Sequence, residues 1–390
     1  MKRITQGLSL LLILFFFASA FGEEETVLRF NHCLGGDHPG WIAFHTRHPE
    51  ASWAFSESDY QDTDELLEDI QAGAFDADLY FLYSFYDYRK LMEKGACLDL
   101  TDVPGVYKAL ERMNLIVREQ AMMDGRIYAL PASVRFDYWM INRKNWEAAG
   151  LGSTPVPDTL PALFVFLESW LIQYQQMGYS KFRVIGYWDG TVYDAWDYAR
   201  QLIRWVVDGA LLQKTYQKEP LCLGAEIVPL LERARRVGKA IYDVERPAAL
   251  REGFEGCKSL LEPGVQMNWP NLEDVLFMRV HETQPKLIRG LLNMTAVSAS
   301  ARYPELAKEL LGDAAENEPG WIGEYRYAGM DGAPDFCSNY QDMLCFMGGN
   351  ALNSGRGLGV YRELENQFAK GEMNAEQFIE EIDSLLGGGM

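Results

Sequence analysis

Aromatic and acidic side chains concentrate in a few short stretches of this 390-residue chain. The densest holds Tyr187, Trp188 and Asp189 between two glycines, followed by Tyr193, Asp194 and Trp196. Helical spacing puts Tyr193 and Trp196 on one face of the helix expected to begin there, with Trp205 further along as core. A second stretch places Tyr83, Ser84, Phe85, Tyr86 and Tyr88 just after an apolar run. Flat aromatic faces stack on C–H surfaces, and carboxylates or guanidinium groups make paired hydrogen bonds to hydroxyls. Such equipment suits a site for a polyhydroxylated solute. The competing reading of each aromatic is packing in a core. Trp188, Asp189, Tyr193, Trp196, Tyr83, Ser84 and Tyr86 are therefore candidate ligand contacts.

Four of the five histidines fall at 32, 38, 45 and 48, with Asp37 among them. His45 and His48 share a helix face, and imidazole is a common zinc ligand. The segment lacks a compact ligand signature, and no metal or other cofactor is expected. Catalytic patterns are missing as well: there is no G-x-S-x-G, H-E-x-x-H or phosphate-binding glycine loop. Asp and Glu abound, but nothing marks two of them as a glycosidase pair. The chain reads as a binding protein, not an enzyme.

The elements that must position these residues begin after a leader. Lys2 and Arg3 precede an apolar run from 8 to 17, and Ala18, Ser19 and Ala20 offer small residues for cleavage near Ala20. Residues 1–22 read as a secretory signal peptide, too short for a stable membrane span, which places the mature chain in a periplasm or outside the cell. The roughly 368 residues that remain suffice for two domains. The formal charge of −20, about −22 after cleavage, disfavours nucleic-acid partners. Six cysteines permit fifteen pairings, of which at most one or two bridges are expected.

Strands are predicted at 26–30, 53–55, 78–83, 126–130, 138–141 and 287–293. Helices are predicted at 41–48, 62–73, 86–94, 144–149, 160–177, 193–207, 230–242, 304–311, 361–369 and 375–386. Asp or Thr caps the helix that Gly73 stops. The continuous apolar run at 78–83 suits a buried strand, and the strand–helix alternation predicts an α/β layer with a largely parallel sheet. Residues 312–358, rich in Gly, Asp and Asn, carry no assignment.

Several segments together resemble one family. Residues 124–131 (Asp-Gly-Arg-Ile-Tyr-Ala-Leu-Pro), 138–144 (Tyr-Trp-Met-Ile-Asn-Arg-Lys), 147–151 (Glu-Ala-Ala-Gly-Leu) and 156–160 (Val-Pro-Asp-Thr-Leu) are similar to the central signature of the family 1 extracellular solute-binding proteins, the group that includes the maltose-binding protein. Residues 47–50, 72–78, 300–310 and 371–378 match further family patterns in the same order. The chain departs from the pattern at Leu160, where the family carries Trp, at 140–143, where it carries Tyr-Tyr-Asn-Lys, and in the loop 31–40.

The resemblance implies a two-lobed α/β clamp joined by hinge strands, the type II periplasmic-binding-protein fold. It places lobe 1 at 23–132 plus about 288–325, and lobe 2 at 133–287 plus about 326–390. Crossings are expected near 130–135, near 286–289 and somewhere in 312–340. It adds Arg135, after the first crossing, and Trp269, in a cleft loop, to the candidate contacts. It implies a monomeric receptor of an ABC importer that captures a mono- or oligosaccharide and delivers it to a membrane permease. A polyamine, metal complex, phosphate ester or peptide is the alternative ligand, and a signalling receptor or a secreted glycosidase the alternative role.

Overall fold

The computed structural model describes residues 26–33, 38–58, 60, 62–113, 115–177, 182–186, 194–252, 258–263, 272–317, 343–346, 352 and 355–387. β1 (Thr26–Asn31) buries Leu28 and Phe30 completely. α1 (Pro39–Arg47) starts on Pro39, with His38 Nδ1 accepting the Gly40 amide. β2 (Ala51–Phe55) lies parallel to β1. α2 (Thr63–Ala72) is capped by Asp62, which accepts the amides of Asp64 and Glu65. It stops at Gly73, whose φ of 68° is open to glycine without steric cost. β3 (Leu79–Leu82) pairs with the other side of β1. α3 (Tyr88–Glu93), α4 (Pro104–Glu111) and α5 (Leu115–Gln120) follow. β4 (Met122–Met123) and β5 (Arg126–Ile127) form a hairpin whose turn residues, Asp124 and Gly125, both have positive φ.

β6 (Leu130–Asp137) carries the chain out of this first lobe, and β7 (Trp139–Ile141) begins the second. α6 (Arg143–Ala148), α7 (Leu160–Met177), β8 (Phe182–Ile185), α8 (Asp197–Gln217), α9 (Val228–Glu252), β9 (Lys258–Pro263) and β10 (Val275–Leu276) build it. β11 (Ile288–Val297) returns, followed by α10 (Pro304–Asn317), β12 (Leu344–Phe346), α11 (Gly355–Lys370) and α12 (Ala375–Gly387).

Two mixed sheets result. One runs β12-β11-β3-β1-β2, with β6 also paired to β11, and the other runs β10-β7-β9-β8. β11 is antiparallel to both β3 and β6. Its far half, residues 288–292, extends past the end of β3 towards the second sheet. Each sheet has its own hydrophobic core. Residues 28–130 and 292–315 supply most of the first; residues 141–287 and 345–382 supply the second. The molecule is thus an α/β protein of two lobes.

α8 and α9 pack against each other so closely that a Cβ at Gly238 would strike the backbone of Ala199. Backbone cannot retreat as a side chain can, so Gly238→Ala is expected to cost about 1–3 kcal/mol, read as a lower urea midpoint at unchanged slope. Glu245 on α9 is 3% exposed and accepts hydrogen bonds from the Val184 amide and the Tyr198 hydroxyl, both at 2.8 Å. Burial pushes its carboxyl up to about 7. Between about pH 4.5 and 7 the unfolded chain therefore loses this proton while the folded chain keeps it, and stability falls as pH rises. Glu245→Gln should remove most of that decline, on the order of 2–3 kcal/mol, in urea titrations at pH 5 and pH 8.

Candidate functional site

The register between β6 and β11 sets the frame of the site. Ser133 pairs with Asn293, Arg135 with Leu291, and Asp137 with Arg289. Directly opposed residues share a face of an antiparallel pair, and every second residue repeats it. The pairs Ser133–Asn293 and Asp137–Arg289 therefore stand on one face of the ribbon, towards its two ends. At the first-lobe end, Asn293 Oδ1 accepts the Ser84 amide at 2.8 Å, and its Nδ2 donates to Ser133 Oγ at 2.9 Å. A β-bulge falls beside this point, between Asn293 and Met294.

The loop held by Asn293 carries half-buried aromatics. Tyr83 and Phe85 stack with ring centroids 5.2 Å apart and planes within 7°, and Phe81 meets Tyr83 edge-on at 5.0 Å. His32, at the end of β1, tilts against Tyr83 at 6.0 Å. Tyr86 lies deeper: it is buried, and its hydroxyl donates to the Tyr60 carbonyl at 2.7 Å. Tyr88 donates in the same manner to Leu292. Tyr86 and Tyr88 thus fasten the loop to its lobe, while Tyr83, Ser84 and Phe85 remain partly exposed.

At the second-lobe end a cavity of about 290 Å³ opens between the ribbon, α8 and the ends of β7 and β9. Asp137, Trp139, Arg204, Trp205, Asp208 and Arg289 line it. Trp139 and Trp205 meet edge to face with centroids 4.8 Å apart. Arg289 Nη1 stands 3.6 Å from Asp137 and 3.8 Å from Asp208, within reach of charge attraction but too long for hydrogen bonds. Burial pushes Asp208 up to about 6; the guanidinium of Arg289 opposes that shift and the carboxylate of Asp137 adds to it. Arg204 makes a two-point bond to Glu365 of α11, at 2.7 and 3.1 Å, and Glu365 is fully buried. Burial works against the charge of Arg204, but Glu365 outweighs it and raises the pKa of the guanidinium.

Of the candidates read from sequence, Tyr83 and Ser84 lie at the first-lobe end of the ribbon and Arg135 within it. Trp196 immediately precedes α8 and packs against α9, with Lys239 Nζ 5.5 Å from its ring centre. Trp188, Asp189, Tyr193 and Trp269 lie outside the described residues. Their segments follow β8, which ends at Ile185, and β9, which ends at Pro263, a residue lining the cavity. Trp205 is a core residue, as its spacing implied, and it also lines the cavity. Asp208 and Arg204 escaped sequence reading because they sit one turn apart in an ordinary helix, and only the crossing of α8 by the ribbon distinguishes them. The histidines serve locally. His38 caps α1, His45 stacks on Trp41 at 5.5 Å, and His48 stacks on Phe44 and contacts Glu309 at 3.1 Å. Cys33, Cys97, Cys222 and Cys345 are free thiols. No described helix is long and apolar enough to cross a membrane.

No protein-family model matches the chain, and no curated protein matches it. Solved structures do, over nearly its whole length. A chitin oligosaccharide binding protein covers 94% of this chain and 99% of its own, with a TM-score of 0.59 and 14% identity. A sugar transporter from Bacillus licheniformis in complex with stachyose covers 92% and 98%, with a TM-score of 0.58 and 14% identity. A family 1 extracellular solute-binding protein from Bifidobacterium longum subsp. infantis covers 93% and 99%, with a TM-score of 0.54 and 14% identity. The chain has the fold of these two-lobed binding proteins.

Replacing Arg204 tests the ion pair beside the cavity. Arg204→Met would leave Glu365 buried without its partner. The expected cost is about 3 kcal/mol, the low end for a broken buried pair because Arg204 itself is partly exposed, read by urea denaturation at pH 7.

Proposed function

We propose that this chain is the exported solute-binding receptor of an ABC importer and that its ligand is a mono- or oligosaccharide. The observation that carries this reading is the cavity at the root of the hinge ribbon, where two tryptophan rings meet two carboxylates and two guanidinium groups. Aromatic faces and paired charges are what a sugar ring requires. The whole-length likeness of fold to proteins named for chitin oligosaccharide and for stachyose supports it. The charges argue against a polyamine: Arg204 and Arg289 stand where a cationic ligand would need acids alone.

The receptor's lobes comprise 23–132 with about 288–325, and 133–287 with about 326–390. Residues 1–22 are its cleaved signal peptide. Tyr83, Ser84, Arg135, Trp188, Asp189, Tyr193, Trp196 and Trp269 belong to or border the cleft, with Tyr86 buried behind the Tyr83 loop. Ligand bridging the lobes favours the closed form by its differential affinity, and the permease, with its two membrane subunits and ATPase, reads that form. The receptor acts as a monomer and catalyses nothing.

A thermal-shift screen of the chain from Glu23 against neutral sugars, polyamines, amino acids and divalent metals tests this. Binding to the native state raises the melting temperature with RT ln(1 + [L]/Kd). A shift of several degrees with one class of sugar is expected, and Trp139→Ala should reduce it to a small fraction. A shift confined to polyamines or metals, or turnover of a glycoside at any pH, would refute the proposal.

A further inference from the structure

Two donors around the hinge cavity have no acceptor among the described residues: the indole N–H of Trp205, a residue 2% exposed, and the Nε–H of Arg289. A buried donor left unpaired costs about 1–3 kcal/mol. Close by, the carboxylates of Asp137 and Asp208 stand 3.6 and 3.8 Å from Arg289 Nη1, so neither is hydrogen-bonded to it. The cavity thus sets a loosely held guanidinium beside two carboxylates. A hydroxyl is both donor and acceptor and can satisfy one of each. An ammonium group could satisfy only the acids and would face Arg289. A carboxylate could satisfy only the donors and would face Asp137 and Asp208.

Resting on the sugar-receptor reading, we propose that Asp208 and Arg289 are the specificity-determining pair of the site. They clamp two adjacent hydroxyls of one uncharged sugar ring, one hydroxyl donating to Asp208 while both accept from the guanidinium of Arg289. Trp139 supplies the apolar face. The volume of about 290 Å³ lies at the small end for ligand pockets, which suits a single ring, the whole of a monosaccharide or one unit of a longer chain. Arg289 is on the ribbon and Asp208 on a helix of the second lobe, so a ligand held by both also fixes the ribbon against that lobe.

Calorimetric titration of the tightest neutral sugar, its single-deoxy analogues, and the matching uronic acid and amino sugar tests the clamp. Two adjacent hydroxyls should each matter tenfold or more. Asp208→Asn, which keeps the shape of the side chain, should weaken the parent sugar at least tenfold. It should leave within twofold the affinity for the one analogue that lacks the Asp208-facing hydroxyl. The uronic acid and amino sugar should bind at least tenfold more weakly than the neutral ring. Because Arg289 lies on a hinge strand, Arg289→Lys is the second variant, with its melting curve recorded alongside. Parent binding unchanged in both variants would overturn the clamp and leave the sugar receptor standing. Preference for the charged analogues would overturn it in the same way. Absence of binding by any neutral sugar would overturn the receptor reading, and the clamp with it.

Discussion

Seven residue pairs along β6 and β11, from Leu130 with Thr295 to Asp137 with Arg289, join the two lobes. Antiparallel pairing makes the ribbon stiff along its length and free to twist, a property that strands have and loops lack. β12 pairs with β11 at its far end, where Phe346 packs so tightly over Gly290 that any side chain there would collide with its ring. The ribbon is anchored to both lobes at defined points. Tyr88 bonds to Leu292 on the first-lobe side, Asn293 holds the Ser84 loop, and Arg289 faces Asp208 on the other side.

The same ribbon explains why the site lies where it does. β7 and β9 end on the cavity at Trp139 and Pro263, and the segments after β8 and β9 carry the aromatic residues singled out in the sequence. In sheets with parallel strands, ligands collect at such strand ends, because the loops there can vary while the strands stay fixed. On the first lobe, Tyr83 and Phe85 occupy the corresponding position after β3.

Much of the frame was legible because it is written in local chemistry. Asp62 and Gly73 bound α2 by cap and left-handed stop, Asp124 and Gly125 form the hairpin turn, and α7 spans the predicted 160–177. Elements whose identity depends on partners were missed. β8 and β9 were not predicted: each has only two or three consecutive apolar residues, too short to separate from loop, and each becomes a strand by pairing with the other. α8 and α9 extend well past the predicted 193–207 and 230–242. Lys214 breaks the apolar pattern of α8, yet the helix continues to Gln217, with Lys214 paired to Glu219. The cavity was the least legible feature, since Asp208 comes from a helix that the sequence does not place beside the strand of Arg289.

The energetic character of that cavity follows from what it leaves unmet. Elsewhere the arginines near it are tightly engaged: Arg204 by Glu365, and Arg200 by Asp194 and Asn366. Arg289 alone among these three is loosely held, with a buried nitrogen unpaired, and burial pushes the carboxyl of Asp208 up to about 6. Such groups reduce stability in the empty protein and are retained in folded proteins where something else relieves them. Relief confined to the closed, liganded form would add directly to the difference in affinity between open and closed states, and only that difference can drive closure. Under the proposed receptor function, an Arg289 and Asp208 already satisfied by each other would make the empty protein more stable and leave less to gain by closing on ligand.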